Sequence, residues 1–133
     1  METFFEIELN TEKNTEFIDI TSIIQEKVTC SKFSDGICYV FVPHTTAAIT
    51  INENADPNVV KDIIATLDKI VPHSDTDYRH SEGNSAAHIK SSLLGSSVTL
   101  LIEKGQLKLG AWQGVYFCEF DGPRRRKIWI KTE

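Results

Sequence analysis

The sequence predicts one α+β domain. Segments with two-residue and 3.6-residue apolar periodicity follow one another in irregular order, without a regular strand–helix repeat. The links between them are short, which favours antiparallel pairing, and everything after Ser97 is β-rich. At 133 residues the chain suits a single domain spanning 1–133, large enough for an unaided hydrophobic core.

Thr3 to Leu9 sets Phe5, Ile7 and Leu9 against Glu6 and Glu8, the alternation of a half-buried strand. Asn10 to Asn14 reads as a polar turn. A helix is expected from about Asp19, where Ile20, Ile23, Ile24 and Val28 keep helical spacing and Asp19 or Thr21 can cap the free amides. Gly36 to Val42 is a β-branched and aromatic run, read as a buried strand that Pro43 ends because proline cannot donate to the ladder. Ala47 to Asn52 is a further strand. Asp56-Pro57 opens a helix whose stripe of Val59, Val60, Ile63, Ile64, Leu67 and Ile70 stops before Pro72. After a polar loop, a shorter helix runs from Asn84 or Ser85 to Leu94 and closes on Gly95. Strands are expected over 98–102, 106–109, 114–120 and 126–131, punctuated by Gly105, Gly110, Gly114 and Gly122-Pro123.

Composition is that of an ordinary soluble globular protein, with 41% hydrophobic and 25% charged residues. A net charge of -5 argues against nucleic acid as the main partner. No apolar run reaches the ~20 residues that span a bilayer, so no membrane partner is expected. The first residues, Met1-Glu2-Thr3-Phe4-Phe5-Glu6, lack the basic start and apolar stretch of a signal peptide, and a cytoplasmic location is the default expectation. Cys30, Cys38 and Cys118 form no CxxC and each adjoins an apolar stretch, so reduced core cysteines are expected.

Chemistry concentrates in two segments, Pro43-His44-Thr45-Thr46-Ala47 and Arg79-His80-Ser81-Glu82-Gly83-Asn84-Ser85-Ala86-Ala87-His88. They hold three of the four histidines among hydroxyls, an amide and a carboxylate. Imidazole is the commonest ligand for borderline metals and the commonest acid/base near neutral pH. No HExxH spacing exists, so any convergence of the three is tertiary. His73 reads as a solvated loop residue. Between strand and helix, Asn52-Glu53-Asn54-Ala55-Asp56 offers Glu53 as a carboxylate. Glu82 is suited to orient an imidazole, and the helix start at Gly83-Asn84 to receive an anion. Trp112, in Gly110-Ala111-Trp112-Gln113-Gly114, reads as a core or interface anchor and is expected to be substantially buried. Arg124-Arg125-Arg126-Lys127 enters a strand. Alternation sends Arg124 and Arg126 to one face, and ordinary edge-strand charges account for most of the four.

Together with the closing Phe120-Asp121-Gly122-Pro123-Arg124-Arg125-Arg126, these segments make the chain resemble the YjbQ family of small single-domain proteins, over essentially its whole length and in the family's order. The resemblance implies a mixed, mostly antiparallel, sandwich-like sheet with two to three helices, and a homotrimer. It also implies that His44, His80 and His88 are the family's metal-binding histidines. Some members are described as having a secondary thiamine-phosphate synthase activity, joining a pyrimidine diphosphate to a thiazole phosphate. That chemistry favours magnesium, whereas three histidines favour zinc. The expectation is a cytoplasmic, trimeric enzyme that uses a divalent metal, zinc ahead of magnesium, on a small phosphorylated or anionic metabolite. Glu53 and Glu82 are the catalytic carboxylate candidates. Asn52, Asn84, Arg124 and Arg126 are the candidate contacts to the ligand. The alternative is a non-enzymatic trimer with a structural metal or a small-ligand site.

Overall fold

The computed structural model describes residues 2–133, in the order β1 (Phe4–Asn10), β2 (Glu16–Asp19), α1 (Thr21–Ser31), β3 (Gly36–Phe41), β4 (Ala47–Glu53), α2 (Pro57–Ile70), α3 (Ser85–Leu94), β5 (Ser97–Glu103), β6 (Gln106–Lys108), β7 (Gln113–Glu119) and β8 (Arg125–Thr132). Two sheets form, one of five strands in the order β1-β8-β3-β5-β6 and one of three in the order β2-β7-β4. Every pairing is antiparallel. The α+β single-domain expectation holds. No helix among the described residues is long and apolar enough to cross a membrane.

Alternation along the small sheet explains the layers. Ala47 and Ile49 of β4 and Val115 and Phe117 of β7 share a core with α1 (Ile20, Ile24, Val28) and with the inward residues of the large sheet, including Val40, Leu100, Ile128 and Ile130. The opposite face of the same two strands presents Ala48, Tyr116 and Cys118 to Leu67 of α2 and Ala87 of α3. The small sheet is therefore buried on both faces, and β7 reads as an almost continuous apolar run because both of its faces meet other layers.

Local chemistry sets the helix ends. Asp56 Oδ1 accepts from the Asn58 amide at 2.9 Å ahead of Pro57 at the first helical position of α2. Asp19 Oδ1 accepts from both the amide and the hydroxyl of Thr21 at the start of α1. The β5–β6 hairpin turns at Lys104 and Gly105 with φ of 54° and 76°, the pair of positive values that a type I′ turn requires.

Two expectations need correction. The sequence assigns no element to Glu16–Ile18 and a helix start to about Asp19, yet these residues form β2. Its four residues gain strand character only by pairing Glu16–Asp19 with Glu119–Tyr116 of β7, a distant partner. The arginine run lies where β8 pairs with β1 alone, since β3 reaches only to Trp129. Arg124, Arg125 and Lys127 are exposed there, as edge-strand charges are, and Arg126 is the buried exception. Cys30 is exposed near the end of α1, while Cys38 and Cys118 are buried as expected. Burial pushes the Cys38 thiol up to about 11 and that of Cys118 higher still, which keeps both unreactive.

Phe117, between the sheets, is the largest fully buried side chain among the described residues. Phe117→Ala should cost about 3–5 kcal/mol, read as a lowered urea midpoint. A loss below ~1 kcal/mol would mean that the two sheets do not depend on this contact.

Candidate functional site

The ladder between β3 and β8 stops at Phe41, paired with Trp129, because Pro43 has no amide and turns the chain away. Two positions earlier on β8, the Lys127 amide is therefore left without a backbone partner. His44 Nε2 accepts from it at 2.9 Å. An amide can only donate, so Nε2 holds its lone pair there and the neutral ring carries its proton on Nδ1. Burial lowers the His44 pKa, and the Arg126 charge lowers it further. Both effects favour the neutral ring near pH 7.

Arg126 follows the inward alternation of Ile128 and Ile130, and Glu119 follows that of Val115 and Phe117. The two therefore meet between the sheets as a buried ion pair. Arg126 Nε donates to Glu119 Oε1 at 2.8 Å, Nη2 donates to Glu119 Oε2, and Nη2 also donates to Thr46 Oγ1 at 2.9 Å. Glu119 accepts further from the Thr11 hydroxyl at 2.7 Å and the Asp121 amide at 3.0 Å. Burial alone would raise this carboxyl's pKa. The hydrogen bonds from Arg126, Asp121 and Thr11 outweigh it and hold the group below the usual carboxylate range.

Over this pair opens a cleft of about 620 Å³. His44, His80, His88, Glu82, Arg124 and Arg126 line it, with Phe41 at the rim and Asn84 beside the start of α3. The rings of His80 and His88 meet edge to face at 5.1 Å, and Glu82 Oε2 lies 3.8 Å from His80 Nε2. Arg124 gives Nε and Nη2 to Asp121, and Arg126 gives Nε and Nη2 to Glu119 and Thr46. Neither Nη1 group is engaged by another described residue. Asn84 occupies the N-cap of α3, yet its side chain does not cap. Nδ2 donates to Asp121 Oδ2 at 2.9 Å, and Oδ1 is buried without a partner. The first-turn amides of α3 are thus not taken by that side chain, and a helix start with uncapped amides favours an anion.

Seven of the nine expected site residues are brought to this cleft, and Asn52 and Glu53 are not. They lie at the far end of β4, opposite Gly114 and Gln113, where Asn52 Oδ1 accepts from the Glu53 amide at 2.7 Å. His73 is exposed and lines a separate cleft with Lys90 and Asp68. Trp112 is 65% exposed within the single chain, so it is not a core anchor. Its turn is pinned by the Gln113 side chain, which accepts from the Gly110 amide at 2.8 Å, and this holds the indole outward. Glu119 and Thr46 are the polar residues the sequence reading missed. The signal for Glu119 was available, as a carboxylate in the inward register of an otherwise apolar strand.

The donors suit a metal only in part. Neutral imidazoles are zinc ligands, and His80 and His88 already face each other. His44, as placed, has no free lone pair while Nε2 holds the Lys127 amide. Among the described residues, no three histidine, cysteine or carboxylate groups gather closely enough to hold an ion.

The sequence profile of the UPF0047 protein YjbQ-like family matches residues 5–133. The chain belongs to this family. It is 52% identical to the UPF0047 protein of Methanocaldococcus jannaschii, covering 96% of this chain and 91% of that one. It is 48% identical to the UPF0047 protein YugU of Bacillus subtilis, covering 94% and 95%. A crystal structure of a YjbQ/UPF0047 protein from Clostridium acetobutylicum superposes with a TM-score of 0.95 at 56% identity, covering 97% and 99%. A protein of unknown function from Sulfolobus solfataricus superposes at 0.92 with 32% identity, covering 97% and 94%.

The buried pair makes a stability prediction. Arg126→Met should cost about 3–5 kcal/mol by stranding the Glu119 charge. Adding Glu119→Gln should recover a large part of that loss in denaturant unfolding. Because the folded Glu119 carboxyl titrates below its unfolded value, its contribution is complete above ~4.3. It is then lost as pH falls through the folded value. The stability difference between wild type and Glu119→Gln should therefore shrink in acid. A difference independent of pH would contradict the ionised pair.

Proposed function

We propose that the cleft binds a small phosphorylated or otherwise anionic metabolite and acts on it enzymatically, with the chain working as a cytoplasmic homotrimer. The observation that carries this reading is the union, in one open cleft, of three imidazoles, two arginines and the uncapped start of α3. Arginine's fork suits phosphate oxygens. Neutral His44, with its proton on Nδ1, donates a hydrogen bond to the ligand. His80, with Glu82 nearby, is the candidate acid/base, since its exposed ring can exchange protons with solvent.

A divalent metal, zinc by donor type, belongs to the proposal with His80 and His88 as its ligands. His44 joins only if Nε2 releases the Lys127 amide. Such an ion would supply Lewis-acid polarisation of a phosphoryl oxygen. Magnesium suits the site less, because Glu82 is the only carboxylate among the described residues that line the cleft. Thiamine-phosphate formation from a pyrimidine diphosphate and a thiazole phosphate is the turnover to assay, with the arginines facing the departing pyrophosphate.

His80→Ala should abolish that turnover, or whichever one is found, and lower zinc uptake measured by native mass spectrometry. The melting temperature should stay unchanged, because His80 lies in an exposed loop. Glu82→Gln should weaken metal retention about 10–100-fold if this carboxylate orients the His80 ring. A structural metal reverses the pattern, since its binding energy is then folding energy: His80→Ala, or a chelator, lowers the melting temperature. A His80→Ala protein that stays folded, binds zinc as before and remains fully active would contradict both readings.

A further inference from the structure

The residues that the cleft leaves out form a group of their own. Asn52, Glu53, Asn54, Trp112 and Gln113 gather at the end of β4 remote from Thr46, about seven residues or ~20 Å along the strand. The turn that carries Trp112 is built rigidly. The Gln113 amide donates to the Gly110 carbonyl at 3.0 Å, and the Asn54 amide donates to the Trp112 carbonyl at 3.0 Å. Asn54 Nδ2 donates to Asp19 Oδ2 at 3.1 Å. A Cβ on Gly114 would come within 2.8 Å of Asn54 Cγ, so only glycine lets the two segments close. All this order holds an indole in water, an arrangement with no folding benefit within the chain, and indole is a favoured interface anchor.

The surroundings of the turn are negative, with Asp19, Glu53 and Asp56 at or beside it. Tyr116, whose hydroxyl donates to the Glu53 carbonyl, has its pKa raised by burial and then by the charges of Asp19 and Glu53. The mouth of the histidine cleft has the opposite character. Arg124 lines it and is exposed, with Arg125 and Lys127 exposed next to it in the chain, against one exposed carboxylate among the described lining residues, Glu82. Phe41, 42% exposed, stacks on Trp129 at 5.8 Å. The acidic Glu6 on that face is already engaged by the Trp129 indole and by Lys127. Charge and apolar character therefore match between two patches that every copy of the chain carries. Two different patches make a heterologous contact, which closes into a ring when the rotation allows.

We propose that the Trp112 turn of one copy docks at the mouth of the histidine cleft of a second copy. Each ligand site is then built from two chains, with His44, His80, His88 and Arg124 from one and Trp112 and Glu53 from the other. Glu53, remote from the histidines within its own chain, then reaches the cleft of its neighbour. The inference adds to the proposed ligand site and fails separately from it.

The test uses full-length chains carrying Cys30→Ser, since Cys38 and Cys118 are buried. One chain bears Ala111→Cys and one affinity tag, the other Thr45→Cys and a different tag. The two are co-expressed and treated with a short flexible bismaleimide. A covalent product joining both tags is expected, and it should disappear when Trp112→Ala is added to the first chain. In a Trp129→Phe background, Trp112 emission should be blue-shifted in the assembled protein and red-shifted on dilution to monomer. No product joining the tags, or Trp112 emission like free indole in the assembled protein, would overturn the inference. Loss of inorganic pyrophosphate binding in His80→Ala would still support the ligand site in that case.

Discussion

The ion pair between Arg126 and Glu119 joins the two sheets at the floor of the cleft. Each partner occupies a position where strand alternation points inward, in line with isoleucine, valine and phenylalanine on the same faces. A charge there is costly unless it is paired and fully hydrogen-bonded. Glu119 meets that condition through Arg126, Thr11 and the Asp121 amide, and Arg126 through Glu119 and Thr46. The bonds draw in β7, β8, the segment after β1 and the start of β4. They therefore fix the relative placement of the elements that carry His44 and Arg124.

His44 depends on the same frame. Its Nε2 takes the place of a strand partner for the Lys127 amide, one residue beyond Arg126 on β8. The end of β3 and the inward turn of Arg126 thus set both the position and the proton of this imidazole. His80 and His88 come from a different source, an exposed loop and the second turn of α3. The cleft combines a rigid wall with a softer one.

Much of this was legible in the sequence wherever the determinants are local. Asp56-Pro57 and the stripe that follows gave α2 its start and its face, and the interrupting Pro43 located the end of β3. The two histidine segments, singled out as a ligand or metal site because small polar residues around imidazole serve a ligand better than a core, line one cleft. The remainder depended on non-local pairing. Nothing in Glu16-Phe17-Ile18-Asp19 by itself announces a strand, and the burial of Arg126 within an otherwise exposed basic run depends on Glu119 of a distant strand. The exposure of Trp112 within one chain has a related cause. Its type suggests burial, but hydrogen bonds from Gln113 and Asn54, made across the turn, hold it outward.

The central claim is that the cleft above the Arg126–Glu119 pair is an anion site in which His44 donates from Nδ1. Nitrogen-15 spectra of the imidazoles and amides, recorded while inorganic pyrophosphate is titrated into the protein, test it most directly. The account predicts a neutral His44 protonated on Nδ1 in the free protein. It also predicts that shift changes concentrate on the amides of Thr45, Thr46, Glu82 to Ala86 and Lys127. A His44 ring protonated on Nε2, or shift changes absent from these amides at saturating pyrophosphate, would contradict it.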